Sequence, residues 1–432
     1  MLLKIHVQRV TAIAACVLFS TTFFAQSYTS YFTGNSTDLV TNPTGGMCLM
    51  GGATESDQAM QWFLQRANGG DILVLRASGS NGYNDYFYTD LGITVNSVES
   101  IVCNDANCAT ETYIHQKIQQ AEAIWFAGGD QWNYVSYWRN TAIDSLVNDA
   151  VLNRGIVIGG TSAGMAILGK AYFSAENGTV SSATALANPF DLEVTVDTTA
   201  FLKNVFLENV ITDTHYDDPD RKGRHVTFMA RMMNMGMNAK GIACDEYTAV
   251  CVTPEGIASV YGDYPNSDDN AYFIQTNCVL ADQTPETCSN GTPLTWNRNG
   301  EALVVYQLKG TTAGTNTFNL NDWETGSGGS WNYWSVNNGV LTEAAGVQPD
   351  CFNLSVTEQT IDFSVSPNPV ADVLTIQSSE KIQLVRIYTL QSALVLSVPF
   401  SETIDVSALP AGIYMVECVS DSGTAVNRIV KH

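Results

Sequence analysis

An uncharged, mostly apolar stretch runs from Val10 to Phe24, and from Gly45 onward short β-branched runs alternate with amphipathic stretches. The first stretch follows Lys4 and Arg9 and ends in Thr22-Phe23-Phe24-Ala25-Gln26, with a small residue before a cleavage point. It is shorter than the roughly 20 apolar residues that a membrane helix needs, so residues 1–25 read as a secretory signal peptide. The alternation beyond Gly45 predicts strands at 47–50, 71–77, 98–103, 123–127 and 156–158, with helices over 57–68, 111–122 and 132–153. Repeated strand–helix units of this length predict an α/β fold, a mainly parallel sheet with helices on both faces. Sites in such sheets lie at the carboxyl ends of strands. Three glycine-containing strand ends, 51–52, 128–129 and 159–160, therefore face one edge.

The pattern changes after Gly310. Residues 311–360 are rich in Thr, Gly, Asn, Ser and Trp and read as a β extension or linker, which leaves 26–310 for the α/β domain. From 361 to 432 short alternating strands with turn signals predict a small all-β sandwich.

Charge and cysteines narrow the setting. With 43 Asp+Glu against 20 Lys+Arg, the net charge is −23, which argues against nucleic acid or an anionic membrane as partner. Export favours disulfides, and Cys103 with Cys108, and Cys278 with Cys288, enclose short polar loops and read as local pairs. Neither pair has zinc spacing, and no metal or other cofactor is expected. Cys244 and Cys251 flank an apolar run and read as buried thiols.

The candidate chemistry centres on Gly160-Thr161-Ser162-Ala163-Gly164, which follows an apolar strand and opens a helix. In a nucleophile elbow the glycines permit the sharp turn and the serine oxygen stands clear of the sheet. The helix start offers unpaired N–H groups and a positive dipole end to a developing oxyanion. The alternative is a serine that only caps a helix. Its base is found by elimination. His6 leaves with the signal, His432 is the last residue, and His115 and His225 fall within helices. His215 follows a run over 204–211 that reads as a strand, at its expected carboxyl end. Asp245 and Glu246 end the next strand, over 240–244, and the pattern does not choose between them as the acid that orients the imidazole.

These motifs resemble, in order, those of the cyanophycinase branch of serine peptidases that includes aspartyl dipeptidase: Gly128-Gly129-Asp130-Gln131, Gly160-x-Ser162-x-Gly164, Asp213-x-His215 with downstream arginines, and Gly241-x-x-x-Asp245-Glu246-x-Thr248-Ala249. The resemblance covers about residues 45–310 and implies a class I glutamine-amidotransferase-like sheet. It also implies metal-free hydrolysis of aspartyl or β-aspartyl peptides. Carried over, Ser162 is the nucleophile, His215 the base and Glu246 its orienting acid. Gly129 and Ala163 supply the oxyanion hole, while Gln131, Asp213, Arg221 and Arg224 bind substrate. Two departures concern the substrate: Thr214 stands where the family has Gln, and Pro219 replaces an arginine. Arg221 or Arg224 is expected to grip a substrate carboxylate; the competing reading is a surface ion pair with Asp217, Asp218 or Asp220. Those three acids lack EF-hand spacing and read as a solvated loop.

The Pro367-Asn368-Pro369 start, the Leu409-Pro410-Ala411-Gly412-Ile413-Tyr414 run and Lys431 resemble the C-terminal sorting domain of type IX secretion in Bacteroidota. That resemblance implies the secretion machinery as a partner and a secreted or cell-surface location after passage through the periplasm. The leading reading is a secreted serine exopeptidase. A catalytically silent binding protein on the same fold and a secreted serine esterase are its rivals, and a homodimer is left open.

Overall fold

Five short apolar runs line up as parallel strands in the computed structural model, which describes residues 26–199, 201–351, 363–378, 381–389, 394–420 and 423–432. The signal segment expected over 1–25 lies outside the described residues. In spatial order the five are Ser97–Cys103, Asp71–Arg76, Ala123–Phe126, Val157–Thr161 and Met47–Met50. Both faces are covered, which is why these runs are almost continuously apolar. Alternation along them feeds two cores. Leu73, Leu75, Ile124 and Phe126 meet Ile118, Trp138 and Val147 from helices Thr112–Gln120, Gln131–Trp138 and Ala142–Leu152. On the other face, Ile72, Val74 and Trp125 meet Met60, Phe63 and Leu64 from helix Asp57–Arg66. The single helix expected over 132–153 is two, because Asn140 sits between them at φ +60°, where a right-handed helix cannot continue.

The expectation of a mainly parallel sheet needs correction beyond these five strands. Tyr28–Gly34 pairs antiparallel on one edge. On the other edge Ala249–Val252, Ile257–Tyr264, Asn316–Asn319 and Gly326–Ser327 complete a mixed sheet of ten strands. A second sheet of six strands runs Val340–Ala345, Gly329–Asn337, Leu303–Lys309, Asn270–Thr276, Lys240–Cys244 and Val210–Asp213, with only the last two parallel. Among the described residues beyond 249 no helix of more than one turn separates the strands, so neighbours return antiparallel. The stretch 316–345, within the segment expected as extension or linker, supplies strands to both sheets. The strand expected over 204–211 begins late: Val205–Leu207 is a 3₁₀ turn capped by Asn204, and the strand is Val210–Asp213.

The chain divides into two compact units, Met1–Pro349 and Asp350–His432. Described by itself, the second is all β, with a three-stranded and a four-stranded sheet sharing a core that includes Leu374, Ile376, Ile404, Val385, Ile387, Val416 and Ile429. Cys103 and Cys108 form a disulfide. The pairing expected between Cys278 and Cys288 is not made: Cys278 is disulfide-bonded, but Cys288 is a free thiol. The Cys288 carbonyl is tied to Asn234 Nδ2 at 2.8 Å and its side chain packs against the core under the second sheet.

Candidate active site

The strand Val157–Thr161 delivers Ser162 into a strained backbone, φ +52° and ψ −119°, immediately before helix Ala163–Ala166. The motif glycines make this turn fit. A Cβ on Gly164 would lie 2.1 Å from the Phe126 carbonyl oxygen, and one on Gly160 would lie 2.6 Å from Gly164 carbonyl carbon. The elbow can therefore press against the neighbouring strand only without side chains there. Ser162 N–H donates to Met50 O at 3.1 Å, which ties the turn to the next strand as well. The helix is a single turn, so the dipole expected from sequence is small and the free N–H groups of its start remain the relevant donors.

His215 lies two residues past strand Val210–Asp213, at φ +47°, with its N–H donating to Gly51 O at 2.9 Å. Its ring lies on Gly52, where a Cβ would come within 2.4 Å of Cε1 and Nε2. His215 Nε2 is 2.8 Å from Ser162 Oγ, and Nδ1 is 2.5 Å from Glu246 Oε1. An ionised carboxylate only accepts, so Nδ1 donates and Nε2 is left to accept from the serine hydroxyl. Glu246 is held in turn by its own N–H donating to Asp217 Oδ1 at 2.9 Å. Asp245 points elsewhere: its Oδ2 accepts from Asn270 N and Nδ2, and burial raises its pKa to about 7. His115 Nε2 pairs with Ala109 O. His225 is buried between Tyr216 Oη and Ile211 O, and burial pushes its pKa down.

The turn at Gly128-Gly129 lies against the serine, since a Cβ on Gly128 would be 3.6 Å from Ser162 Cβ. Tyr134 Oη donates to Ala127 O and lies 3.1 Å from Gly128 O, which braces that turn. Gln131 opens the following helix and its Nε2 donates to Phe173 O at 3.4 Å. Asp213 and Arg224, both expected to bind substrate, are paired with each other in the fold. Arg224 is buried, with Nε 2.8 Å from Asp213 Oδ2 and Nη2 2.5 Å from Asp213 Oδ1, and Nη1 on Thr179 Oγ1. The acid and the arginine consume each other. Arg221 donates from Nη1 to Thr214 O at 2.9 Å.

A cleft of about 680 Å³ opens on Ser162 and His215 and is lined also by Thr161, Gly128, Glu55, Arg76, Tyr83 and Tyr86. Gln131, Asp213, Arg221 and Arg224 are not among its lining residues. Tyr83 Oη donates to Glu55 Oε1, and burial raises the pKa of both groups. The polar stretch after strand Asp71–Arg76 carries no motif of its own; its place at the carboxyl end of a parallel strand is the signal that points to the site. Among the described residues no three His, Cys, Asp or Glu side chains gather as a metal site, and no helix is long and apolar enough to cross a membrane.

Residues 76–260 match the model of peptidase family S51, and residues 364–432 match that of the secretion system C-terminal sorting domain. No curated protein matches the chain. Among solved structures, a peptidase from an acI-B1 Actinobacterium is 14% identical over 64% of this chain and 98% of that one, with a TM-score of 0.41. A putative peptidase E protein from Listeria monocytogenes EGD-e is 13% identical over 51% of this chain and 98% of that one, at 0.33. Residues 76–260 are thus a peptidase family S51 region, of the serine-peptidase kind, ahead of a type IX sorting domain at 364–432 that directs the protein to the cell surface or outside the cell.

Proposed function

We propose that the protein is a secreted exopeptidase that cleaves aspartyl or β-aspartyl peptide bonds through Ser162, His215 and Glu246. The observation that carries this reading is the unbroken hydrogen-bond line from Glu246 Oε1 through both ring nitrogens of His215 to Ser162 Oγ. Ser162 Oγ attacks the scissile carbonyl carbon while His215 Nε2 takes its proton. Glu246 stays ionised and steadies the imidazolium through Nδ1–H. The carbonyl oxygen, now anionic, accepts from the N–H groups of Gly129 and Ala163, which cost no reorganisation because turn and elbow are already braced. The C–N bond then breaks as Nε2 returns its proton to the leaving amine. A water attacks the acyl-enzyme by the same route in reverse, releasing the acid and restoring the serine. In this reading the five parallel strands are the glutamine-amidotransferase-like part of the fold, and Gln131, one residue beyond the Gly128–Asp130 turn, helps to hold the substrate.

Purified protein is tested against α-aspartyl and β-aspartyl (isoaspartyl) dipeptides and cyanophycin, beside Ser162→Ala. The variant removes one oxygen in an open cleft, so its melting temperature stays at the wild-type value while hydrolysis falls at least about a thousandfold. Wild-type turnover in a folded Ser162→Ala protein would remove the nucleophile. Equal hydrolysis of peptides without an aspartyl residue would remove the specificity.

A further inference from the structure

The cleft beside Ser162 holds a guanidinium that none of the steps above uses. Arg76 ends strand Asp71–Arg76, the central member of its three-strand neighbourhood, and so stands at the carboxyl edge where the elbow also stands. Arg76 is the cationic side chain among the residues lining the cleft. It is also held in place. Nε donates to Ser78 O at 2.5 Å and Nη1 to Ser80 O at 2.9 Å, so the exposed loop after the strand wraps the guanidinium. Gly79, at φ +88°, allows the wrapping: a Cβ there would lie 2.1 Å from Arg76 Nη2.

What Arg76 lacks is an anion. Among the described residues it forms no ion pair, unlike Arg139, Arg224, Arg298 and Arg386; Arg66, Arg154, Arg221 and Arg231 also form none, but they do not line this cleft. Glu55 is the acid that shares the cleft; its carboxyl takes the Tyr83 hydroxyl and makes no ion-pair contact with Arg76, and burial raises its pKa while the charge of Arg76 works the other way. A half-buried guanidinium pinned by two carbonyls and with no carboxylate in ion-pair contact is pre-organised for an incoming carboxylate, which it grips with charge-assisted bonds. Arg221 and Arg224 are not among the residues that line this cleft, and Arg224 is locked to Asp213.

We propose that Arg76, pre-positioned by the 77–80 loop, is the residue that binds a carboxylate of the substrate beside Ser162. This rests on the peptidase reading above for the word substrate, and its test is therefore made on binding rather than on turnover. In a Ser162→Ala background, calorimetry compares β-aspartyl-leucine with its fully amidated analogue, with Arg76 intact and as Arg76→Gln. Losing a charge-assisted contact predicts that Arg76→Gln weakens the carboxylate form roughly tenfold to a hundredfold and leaves the amidated form unchanged. Gly79→Ala, which displaces Nη2 without touching the charge, weakens the same form in the same direction. An equal loss for both ligands, no loss for either, or no binding of the carboxylate form by the Arg76-containing protein overturns the assignment. Thermal melts separate these outcomes from misfolding, and Gly79→Ala carries the test if Arg76→Gln does not fold. Labelling of Ser162 by a fluorophosphonate in otherwise wild-type protein reads the serine mechanism separately. Failure of that labelling sinks the mechanism and leaves the binding result standing.

Discussion

At Asp245 a carboxyl is buried next to the site, and desolvation, reinforced by the charge of Asp217, raises its pKa from 3.8 to about 7. One of its oxygens, Oδ1, has no hydrogen-bond partner. The folded protein therefore keeps a proton there to about pH 7, while the unfolded chain gives it up near pH 4. Folding takes up a proton throughout that window, so stability falls as pH rises from about 4 to about 7 and levels off above. Asp245→Asn removes the titration. Its melting temperature is expected to be flatter than that of the wild type across this window, with the gain largest at pH 8. A wild-type curve that rises between pH 4 and 7, with Asp245→Asn parallel to it, would mean that the carboxyl is ionised in the fold. The residue also bears on catalysis through its neighbour alone, since Glu246 and not Asp245 touches His215.

Strand Val210–Asp213, which leads to His215, is fastened to helix Lys222–Asn234 by one ion pair. Burial pushes the Asp213 carboxyl up, and the adjoining Arg224 more than offsets it, so its pKa stands below the usual range. The pair sits at 4% side-chain exposure on both sides, where a partner left alone has no water to replace the lost one. Arg224→Ala is thus expected to cost about 3–5 kcal/mol in urea unfolding. Arg224→Lys is expected to recover only part of that, because an ammonium cannot make the two parallel bonds. A cost under about 1 kcal/mol, typical of an exposed pair, would show that the arginine is available for substrate after all. Placement of His215 depends on this fastening, since it lies between the strand and the helix.

For the whole molecule, the residues that line the Ser162 cleft fall within the first compact unit, and the second has a core of its own. The charge and composition of the tail supply no candidate catalytic group. Removing residues 363–432, which keeps Cys351, is expected to leave the melting transition of the first unit and the fluorophosphonate reactivity of Ser162 at wild-type values. The same deletion is expected to stop delivery to the cell surface, because the sorting domain is gone. A purified truncated protein that fails to label would show that the tail takes part in holding the site.

Local rules carry the parts of this protein that depend on neighbours along the chain. The elbow was legible because Gly160 and Gly164 must lie within two residues of Ser162 for the turn to form, and their spacing is printed in the sequence. His215 was legible by elimination, and the parallel strands by their apolar runs and intervening helices. The all-β tail showed itself through short strands and turns. Other facts depend on residues far apart in the chain. Asp245 and Glu246 are adjacent, of like chemistry, and equally placed by pattern; Asn270 and Asp217, each more than 20 residues away, decide which one faces the imidazole. Arg224 has the position of a substrate-binding cation in the sequence, and only Asp213, on another element, neutralises it. Arg76 carries no signal beyond its place in the strand expected over 71–77, since only the meeting of strand ends puts it beside Ser162. Spacing along the chain sets backbone turns and faces; which charges meet is set by long-range packing, whose cost and gain depend on burial that no local stretch contains.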